Sequence, residues 1–218
     1  MTLRTLLRLF IVITLLCSAT SWSAQSSRQI VLQTNLGNIV IELFPREAPT
    51  SVKNFMEYVD NGFYDGTIFH RVVPGFIIQG GGFDSHFSLK KTRNPIKNES
   101  YNGLSNDLYT VAMARLPNSE LASSQFFINL QKNTSLNSNS KSPGYTVFGK
   151  VIEGMDIAEK ISLEPRGMYD IFPEAPNMSV RIIKAERIDN KKIDKAESDA
   201  ISDNQPTPPT TEKMTSPQ

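Results

Sequence analysis

One segment sets ionisable and amide side chains in a densely apolar background. Between Phe69 and Phe83 the chain reads Phe-His-Arg-Val-Val-Pro-Gly-Phe-Ile-Ile-Gln-Gly-Gly-Gly-Phe, with His70, Arg71 and Gln79 as its polar members. An arginine is costly to bury without a partner, so Arg71 either points to solvent from a strand edge or serves a site that needs a fixed hydrogen-bond donor. His70 is open to a similar choice between a packing residue and a member of a site.

Two further spans alternate in polarity and can supply neighbouring strands. Residues 111–115 precede a polar loop and the run Ser-Ser-Gln-Phe-Phe-Ile-Asn at 123–129, and residues 144–151 form the second span. Ser123 and Ser124 lack the Gly-x-Ser-x-Gly setting of a nucleophile elbow, which disfavours a serine hydrolase. Gly149 indicates a β-bulge. The triple glycine at 80–82 matches neither dinucleotide nor P-loop spacing and predicts a tight bend with close backbone approach.

Composition excludes several classes of protein. The 218 residues suit one domain, and 23 basic against 22 acidic residues provide no basic field for nucleic acid. The single cysteine, Cys17, can form neither an intramolecular disulfide nor a Cys-based zinc site. With only His70 and His86 a histidine-rich metal cluster is excluded as well, so we expect no metal and no cofactor.

The elements that must position these side chains are mainly short strands within one block, residues 28–189. Eight β-branched or alternating runs favour an all-β sandwich or barrel, with strands at 29–34, 38–43, 67–73, 76–79, 108–114, 125–130, 146–151 and 178–187. Residues 49–61 predict an amphipathic helix, because Pro49 suits its first turn, Gly62 suits its C-terminal cap and its apolar side chains follow helical spacing: Val52, Phe55, Met56 and Val59. A shorter helix is predicted at 154–161.

The two ends of the chain differ from this block. Residues 1–24 have the order of a secretory signal peptide, with Arg4 and Arg8 before an apolar run and small residues after it, and cleavage is expected between 19 and 24. The apolar run is shorter than the roughly 20 residues of a membrane-spanning helix, which makes an uncleaved anchor the weaker alternative. Cleavage would remove Cys17 and leave 21 basic and 22 acidic residues. Residues 190–218 are polar and rich in proline, which predicts a disordered tail.

Taken together, the three spans resemble the cyclophilin family of peptidyl-prolyl cis-trans isomerases (EC 5.2.1.8), and most of all its secreted bacterial branch. The resemblance is carried by Phe-His-Arg-Val-Val-Pro-Gly-Phe, Ser-Gln-Phe-Phe-Ile and Val-Phe-Gly-Lys-Val, in this order between the first hairpin and the last strand. It implies an all-β dominated fold: a closed eight-stranded antiparallel β-barrel capped by two α-helices, with a substrate groove on its outer face.

The resemblance also implies the site residues. Arg71 matches the family's catalytic arginine, and Gln79 matches the glutamine that binds substrate and orients that arginine. The other matching positions are the walls of the proline pocket and the peptide groove: Phe76, Ile77, Phe127 and Leu136 for the pocket, and His70, Ala114, Arg115, Gln125 and Tyr145 for the groove.

Three positions depart from the family pattern. Arg115 stands where many members have asparagine, Ser135 where many have an aromatic residue, and Tyr145 where eukaryotic members have histidine. Loss of the aromatic wall at Ser135 implies weak binding of cyclosporin, whereas turnover need not be lost.

The function implied by the resemblance is acceleration of X-Pro rotation during folding of exported proteins. Its partners would be proline-containing peptides and folding exported proteins, with no nucleic acid and no stable membrane insertion after signal removal, and the chain would be a monomer in the periplasm or, alternatively, outside the cell. A second hypothesis is a proline-peptide binding module or chaperone with weak catalysis. A third places the function in the 190–218 tail, with the barrel as a scaffold.

Overall fold

The first strands follow directly from the alternation of the sequence. The structure is a computed structural model, and it describes residues 28–116 and 121–188. Strand β1 (Gln29–Thr34) buries Ile30 and Leu32 on one face, as a period of two requires. A tight turn leads into β2 (Gly37–Leu43), which pairs antiparallel with β1 and confirms the predicted hairpin. The predicted signal peptide at 1–24, the tail at 190–218 and Cys17 lie outside the described residues.

The remaining barrel strands follow along the chain. They are β3 (Thr67–Val73), β4 (Ile77–Asp84), β6 (Thr110–Arg115), β7 (Leu121–Asn129), β8 (Val147–Glu153) and β11 (Ile182–Arg187), with the two-residue strand β5 (Ile96–Lys97) at the edge of β7. Their spatial order is β11-β1-β2-β8-β6-β7-β4-β3. The pairings along this path are antiparallel, so the predicted eight-stranded antiparallel barrel is confirmed.

The two ends of this sheet meet, and the barrel is nearly closed. An isolated antiparallel bridge joins Ile68 to Arg181, and the Phe69 amide donates to the Val180 carbonyl at 2.9 Å. These contacts lie just before β11 and are fewer than in a regular ladder. The predicted final strand, 178–187, is therefore a bridge followed by the shorter β11.

Two helices cover the barrel, as predicted. Helix α1 (Pro49–Asp60) ends in a Schellman motif: Gly62 has φ +62°, its amide donates to the Val59 carbonyl at 3.0 Å, and the Phe63 amide donates to the Tyr58 carbonyl at 2.9 Å. Its predicted apolar stripe is buried, and the Phe55 ring packs against other core rings. Helix α2 (Met155–Ser162) buries Ala158 and Ile161.

The glycines at 80–82 form the predicted close approach. The register of β4 against β3 shifts twice: between Thr67 and Phe69 the extra residues lie on β4, which marks a bulge at the glycines, and between Phe69 and Arg71 the extra residue is His70 of β3. Gly81 has φ +79°, and a Cβ there would lie 2.8 Å from Tyr64 Cε1 and 2.9 Å from Phe126 Cε1. The predicted bulge near Gly149 is also present, because the register between β6 and β8 shifts there.

The short strand β5 and one pair of strands were not predicted. Strands β9 (Arg166–Tyr169) and β10 (Phe172–Pro176) form a separate two-stranded sheet that packs against β3. The tip of this hairpin is strongly exposed, with Ile171 at 77% and Met168 at 72% exposure. No helix within residues 28–116 and 121–188 is long and apolar enough to cross a membrane.

Candidate active site

An apolar cluster lies on the outer face of the barrel, separate from the core. Strand alternation places Phe126 and Ile128 of β7 in the core, whereas Phe127 between them belongs to this outer cluster. Its buried members are Ile77, Ala112, Phe127 and Val147, and its partly buried members are Phe44, Phe76, Leu104, Ala114, Leu136 and Tyr145. The five predicted positions Phe76, Ile77, Ala114, Phe127 and Leu136 thus share one apolar patch with Tyr145.

Arg71 stands beside this cluster. It lies on β3 opposite Gln79 of β4, its side chain is 36% exposed, and its Cζ is 5.9 Å from the centre of the Phe76 ring. Its Nε donates to Oε2 of Glu174 at 2.5 Å. The guanidinium is therefore neither free in solvent nor fully buried, and its plane is held at the rim of an apolar wall.

Gln79 has a different partner from the one that the resemblance implied. Its Nε2 donates to Oε1 of Gln125 at 3.0 Å, which joins β4 to β7 on the groove side. The group that holds Arg71 is Glu174 of the β9–β10 hairpin. The predicted residues Gln79 and Gln125 are brought together, and the carboxylate that accepts from Arg71 belongs to a residue that the sequence analysis did not name.

His70 is a buried ring, in line with the packing interpretation. It is 4% exposed and forms edge contacts with Phe83 at 4.7 Å and Phe172 at 5.8 Å between ring centres. Burial lowers the pKa of His70 to about 4, with the nearby Arg71 charge acting in the same direction and a backbone hydrogen bond at Ile68 opposing both. The ring is neutral near pH 7 and borders the cavity beside Arg71.

Tyr145 and Arg115 close the opposite edge of the cluster. The Tyr145 ring packs edge-on against Phe127 at 5.5 Å, and the Arg115 guanidinium lies 4.7 Å from the centre of the Tyr145 ring. Arg115 also donates to the carbonyls of Pro143 and Gly144. The Tyr145 amide donates to the carbonyl of Leu136 at 2.9 Å, so its ring lies beside the segment of the exposed Ser135, where the sequence lacks an aromatic residue.

A buried amide network supports the pocket from below. Asn133 donates from Nδ2 to Oδ1 of Asn129 at 2.8 Å and to the Phe76 carbonyl at 3.0 Å. Asn106 Nδ2 donates to the Leu136 carbonyl at 3.1 Å. These bonds tie Phe76 and Leu136 to the barrel wall. Sequence reasoning missed them because Asn106 and Asn133 lie in polar loops and Asn129 ends a strand. The burial of all three is the signal, and it is visible only in the fold.

The nature of the side chains limits what chemistry the site can perform. Within the described ranges no group of three or more His, Cys, Asp or Glu residues could hold a metal ion. What the site offers is a cationic hydrogen-bond donor beside an apolar recess and a pair of amides. Such a set suits binding of a neutral apolar ring next to a polar amide.

Comparison with known proteins identifies the family. The family model "Cyclophilin type peptidyl-prolyl cis-trans isomerase/CLD" matches residues 29–187, the whole barrel with both helices and the β9–β10 hairpin. The chain belongs to the cyclophilin family. It is a peptidyl-prolyl cis-trans isomerase, and the resemblance noted from its motifs is confirmed.

Bacterial relatives match most of this cyclophilin. It is 50% identical over 163 residues to a peptidyl-prolyl cis-trans isomerase of Acinetobacter baylyi, covering 75% of this chain and 87% of that one. It is 46% identical over 189 residues to peptidyl-prolyl cis-trans isomerase A of Dickeya dadantii, covering 84% of this chain and all of that one.

A solved structure has the same fold. The cyclophilin type isomerase of Cryptosporidium parvum, crystallised in the presence of the dipeptide Ala-Pro, aligns with a TM-score of 0.62 at 28% identity. The alignment covers 74% of this cyclophilin and 99% of that chain.

Proposed function

We propose that this cyclophilin rotates X-Pro bonds by donating a hydrogen bond from Arg71 to the prolyl nitrogen while the outer apolar cluster holds the proline ring. The observation that carries the proposal is the position of the Arg71 guanidinium, next to the Phe76 ring at the rim of that cluster. The reaction forms and breaks no covalent bond to the protein, so it needs no nucleophile and no proton transfer.

The barrier explains why a fixed cation helps. Amide resonance sets a rotational barrier of roughly 18–20 kcal/mol. As the X-Pro bond twists, the lone pair localises on the prolyl nitrogen, which becomes a better hydrogen-bond acceptor than it is in the planar amide. A guanidinium N–H aimed at this atom is therefore bound more strongly in the transition state than in the ground state.

The apolar cluster supplies the second part of the proposed mechanism. Phe76, Ile77 and Phe127 would hold the pyrrolidine ring while the acyl side rotates, and Leu136 would close the recess. Exclusion of water from this patch also strengthens the field of the adjacent guanidinium.

The remaining site residues would bind the peptide backbone along the groove. Gln79 and Gln125 form one amide pair, and with Ala114 and Arg115 they line a shallow cavity of about 330 Å³ beside the apolar cluster. An extended peptide bound there would place its proline next to Arg71. Tyr145 and His70 would bound the groove at its two edges.

The energies required are of the right size. An acceleration of about five decades needs roughly 7 kcal/mol. A hydrogen bond from a charged donor contributes about 1.5–3 kcal/mol. The rest would come from ring placement and desolvation in the pocket.

We further propose that the clients are exported proteins that fold in the periplasm. Residues 1–24 have the order of a secretory signal, and the relatives in Acinetobacter and Dickeya are bacterial. Loss of Cys17 with the signal would leave a thiol-free enzyme, which is compatible with an oxidising compartment.

The test of the mechanism is the isomerisation rate of Arg71→Ala on a proline-containing peptide. We expect a loss of at least tenfold, about 1.4 kcal/mol, with the thermal melting curve preserved because Arg71 is on the surface of the barrel. Arg93→Ala is the matched control: it also breaks an arginine–glutamate pair, with Glu57 of α1, but lies away from the groove. Near-normal turnover by folded Arg71→Ala would refute the mechanism and favour a chaperone or binding role.

A further inference from the structure

Glu174 makes the one side-chain hydrogen bond that Arg71 forms within the described residues. Its Oε2 accepts from Arg71 Nε at 2.5 Å, across 103 positions of sequence. The two side chains are 36% and 32% exposed, so the pair is half-buried at the rim of the groove. An arginine side chain has many rotamers, and one charged acceptor at this depth selects among them.

The bond to Glu174 leaves most of the hydrogen-bond donors of Arg71 available for a peptide. Guanidinium carries five N–H donors, and Glu174 uses the one on Nε. The four N–H groups on the two Nη atoms bond to no other described residue and are available to a peptide. The carboxylate therefore fixes the plane of the guanidinium without occupying its outer donors.

Glu174 is itself held by an anchored element. It lies on β10, directly after Phe172 and Pro173, and the Phe172 ring packs against Phe83 at 4.9 Å and His70 at 5.8 Å. At the turn of the hairpin, Tyr169 stacks on Phe87 at 4.1 Å. These contacts attach the hairpin to the barrel beside β3 and hold the carboxylate in register with Arg71.

We propose that Glu174 is a positioning residue for Arg71, and that the β9–β10 hairpin is the element that pre-orients the catalytic guanidinium before the peptide binds. The inference rests on the proposed role of Arg71. Gln79 forms no hydrogen bond with Arg71 among the described residues; its Nε2 donates to Oε1 of Gln125. Glu174 acts through Arg71 and does not touch the reacting bond.

The test is a double-mutant cycle of Arg71→Ala and Glu174→Ala in the full chain, with kcat and KM measured separately. A half-exposed pair predicts that Glu174→Ala lowers kcat roughly two- to fivefold, about 0.4–1 kcal/mol, with little change in KM. The effect falls on kcat because the guanidinium contact strengthens in the twisted state. In the Arg71→Ala background the same change should have no further effect.

Two further variants separate positioning from general support of the hairpin. Glu174→Gln keeps a side chain of the same length with one acceptor oxygen. It should therefore recover part of the kcat that Glu174→Ala loses. Asp170→Asn removes another carboxylate from the same hairpin, one that forms no ion pair with a described residue, and should leave kcat unchanged. The Arg71 Nε–H resonance in proton–nitrogen NMR spectra should move in Glu174→Ala and stay in Asp170→Asn.

The outcomes distinguish this inference from the proposed function. If Arg71→Ala loses activity but Glu174→Ala keeps the wild-type kcat, or gains activity, Arg71 is catalytic and the positioning role is wrong. An equal loss in Asp170→Asn, or an undiminished loss from Glu174→Ala in the Arg71→Ala background, would also overturn it. If Arg71→Ala itself keeps full turnover, the proposed role of Arg71 is wrong, and the inference about Glu174 that rests on it is wrong as well.

Discussion

At the scale of single residues, two neighbouring side chains of the candidate site, Arg71 and His70, have different surroundings. Arg71 lies at the rim of an apolar patch, and Glu174 accepts one of its hydrogen bonds. His70, its neighbour in sequence, loses its charge because it is enclosed by rings beside that same cation. Both side chains line one cavity with the β9–β10 hairpin, Arg71 next to the Phe76 ring and His70 against the rings of Phe83 and Phe172.

The buried neutral His70 predicts a pH dependence of stability. The unfolded histidine takes up a proton as the pH falls through about 6.5, whereas the folded ring stays neutral until about 4. The unfolded state binds more protons in that window, so the free energy of unfolding should fall by about 2 kcal/mol between pH 7 and pH 5 from this residue alone.

Urea denaturation of wild type and His70→Phe at the two pH values measures this contribution. The variant keeps an aromatic ring in the cluster and should lose most of the pH dependence. His86→Gln, which removes the exposed second histidine, should retain it. Equal pH dependence in wild type and His70→Phe would contradict the pKa of His70 given above.

At the scale of elements, the glycine bulge determines how closely β4 approaches the core. Gly80 packs over β3, and Gly81 adopts a left-handed conformation between the buried rings of Tyr64 and Phe126. A side chain at Gly81 would push these rings apart or displace β4. Because Gln79 precedes the bulge, such a displacement would also move the groove.

Gly81→Ala should therefore destabilise the barrel by more than the cost of placing an alanine in a left-handed conformation. Gly66→Ala is the matched control, because Gly66 has φ +77° against +79° at Gly81 but nothing within 4 Å of its added Cβ. The left-handed conformation destabilises both variants by about 1–2 kcal/mol. Gly81→Ala should pay about 1–3 kcal/mol more for overpacking. Denaturation midpoints measure the difference, and equal shifts for the two variants would contradict the clash.

At the scale of the whole molecule, the barrel is completed by its last strand. Strand β11 pairs with β1, aligning Leu32 with Ala185, and it buries Ile182 in the core. The bridge between Ile68 and Arg181 then joins the two ends of the sheet. The N-terminal and C-terminal strands of the domain are thus neighbours, and the fold needs residues up to the end of β11.

Two truncations test the domain boundary predicted near residue 189. Removal of residues 189–218 should leave the melting temperature and kcat/KM close to those of the full chain, because the family match ends at 187 and β11 stays intact. Removal of residues 182–218 should prevent folding, because it opens the barrel and exposes its core. Circular dichroism and the isomerisation assay provide the readouts. Loss of activity in the shorter truncation would assign a function to the tail.

The sequence by itself determined the eight barrel strands, the two helices, the bulges at the triple glycine and near Gly149, and the family. These features depend on local information: alternation with period two, an apolar stripe at helical spacing, glycines at a tight approach, and ordered motifs. The same motifs led to the outer pocket residues Phe76, Ile77, Phe127 and Leu136, which the fold gathers in one patch.

Only the tertiary structure showed which side chain forms a hydrogen bond with Arg71. Residues 163–177 show no strong period, so the hairpin was missed, and with it the contact of Glu174 to Arg71 across 103 positions. The burial of His70 and the hydrogen bond from Asn133 to the Phe76 carbonyl could not be predicted from the sequence either. Such contacts are set by barrel register and by the docking of a distant hairpin, and no local pattern in the chain encodes either.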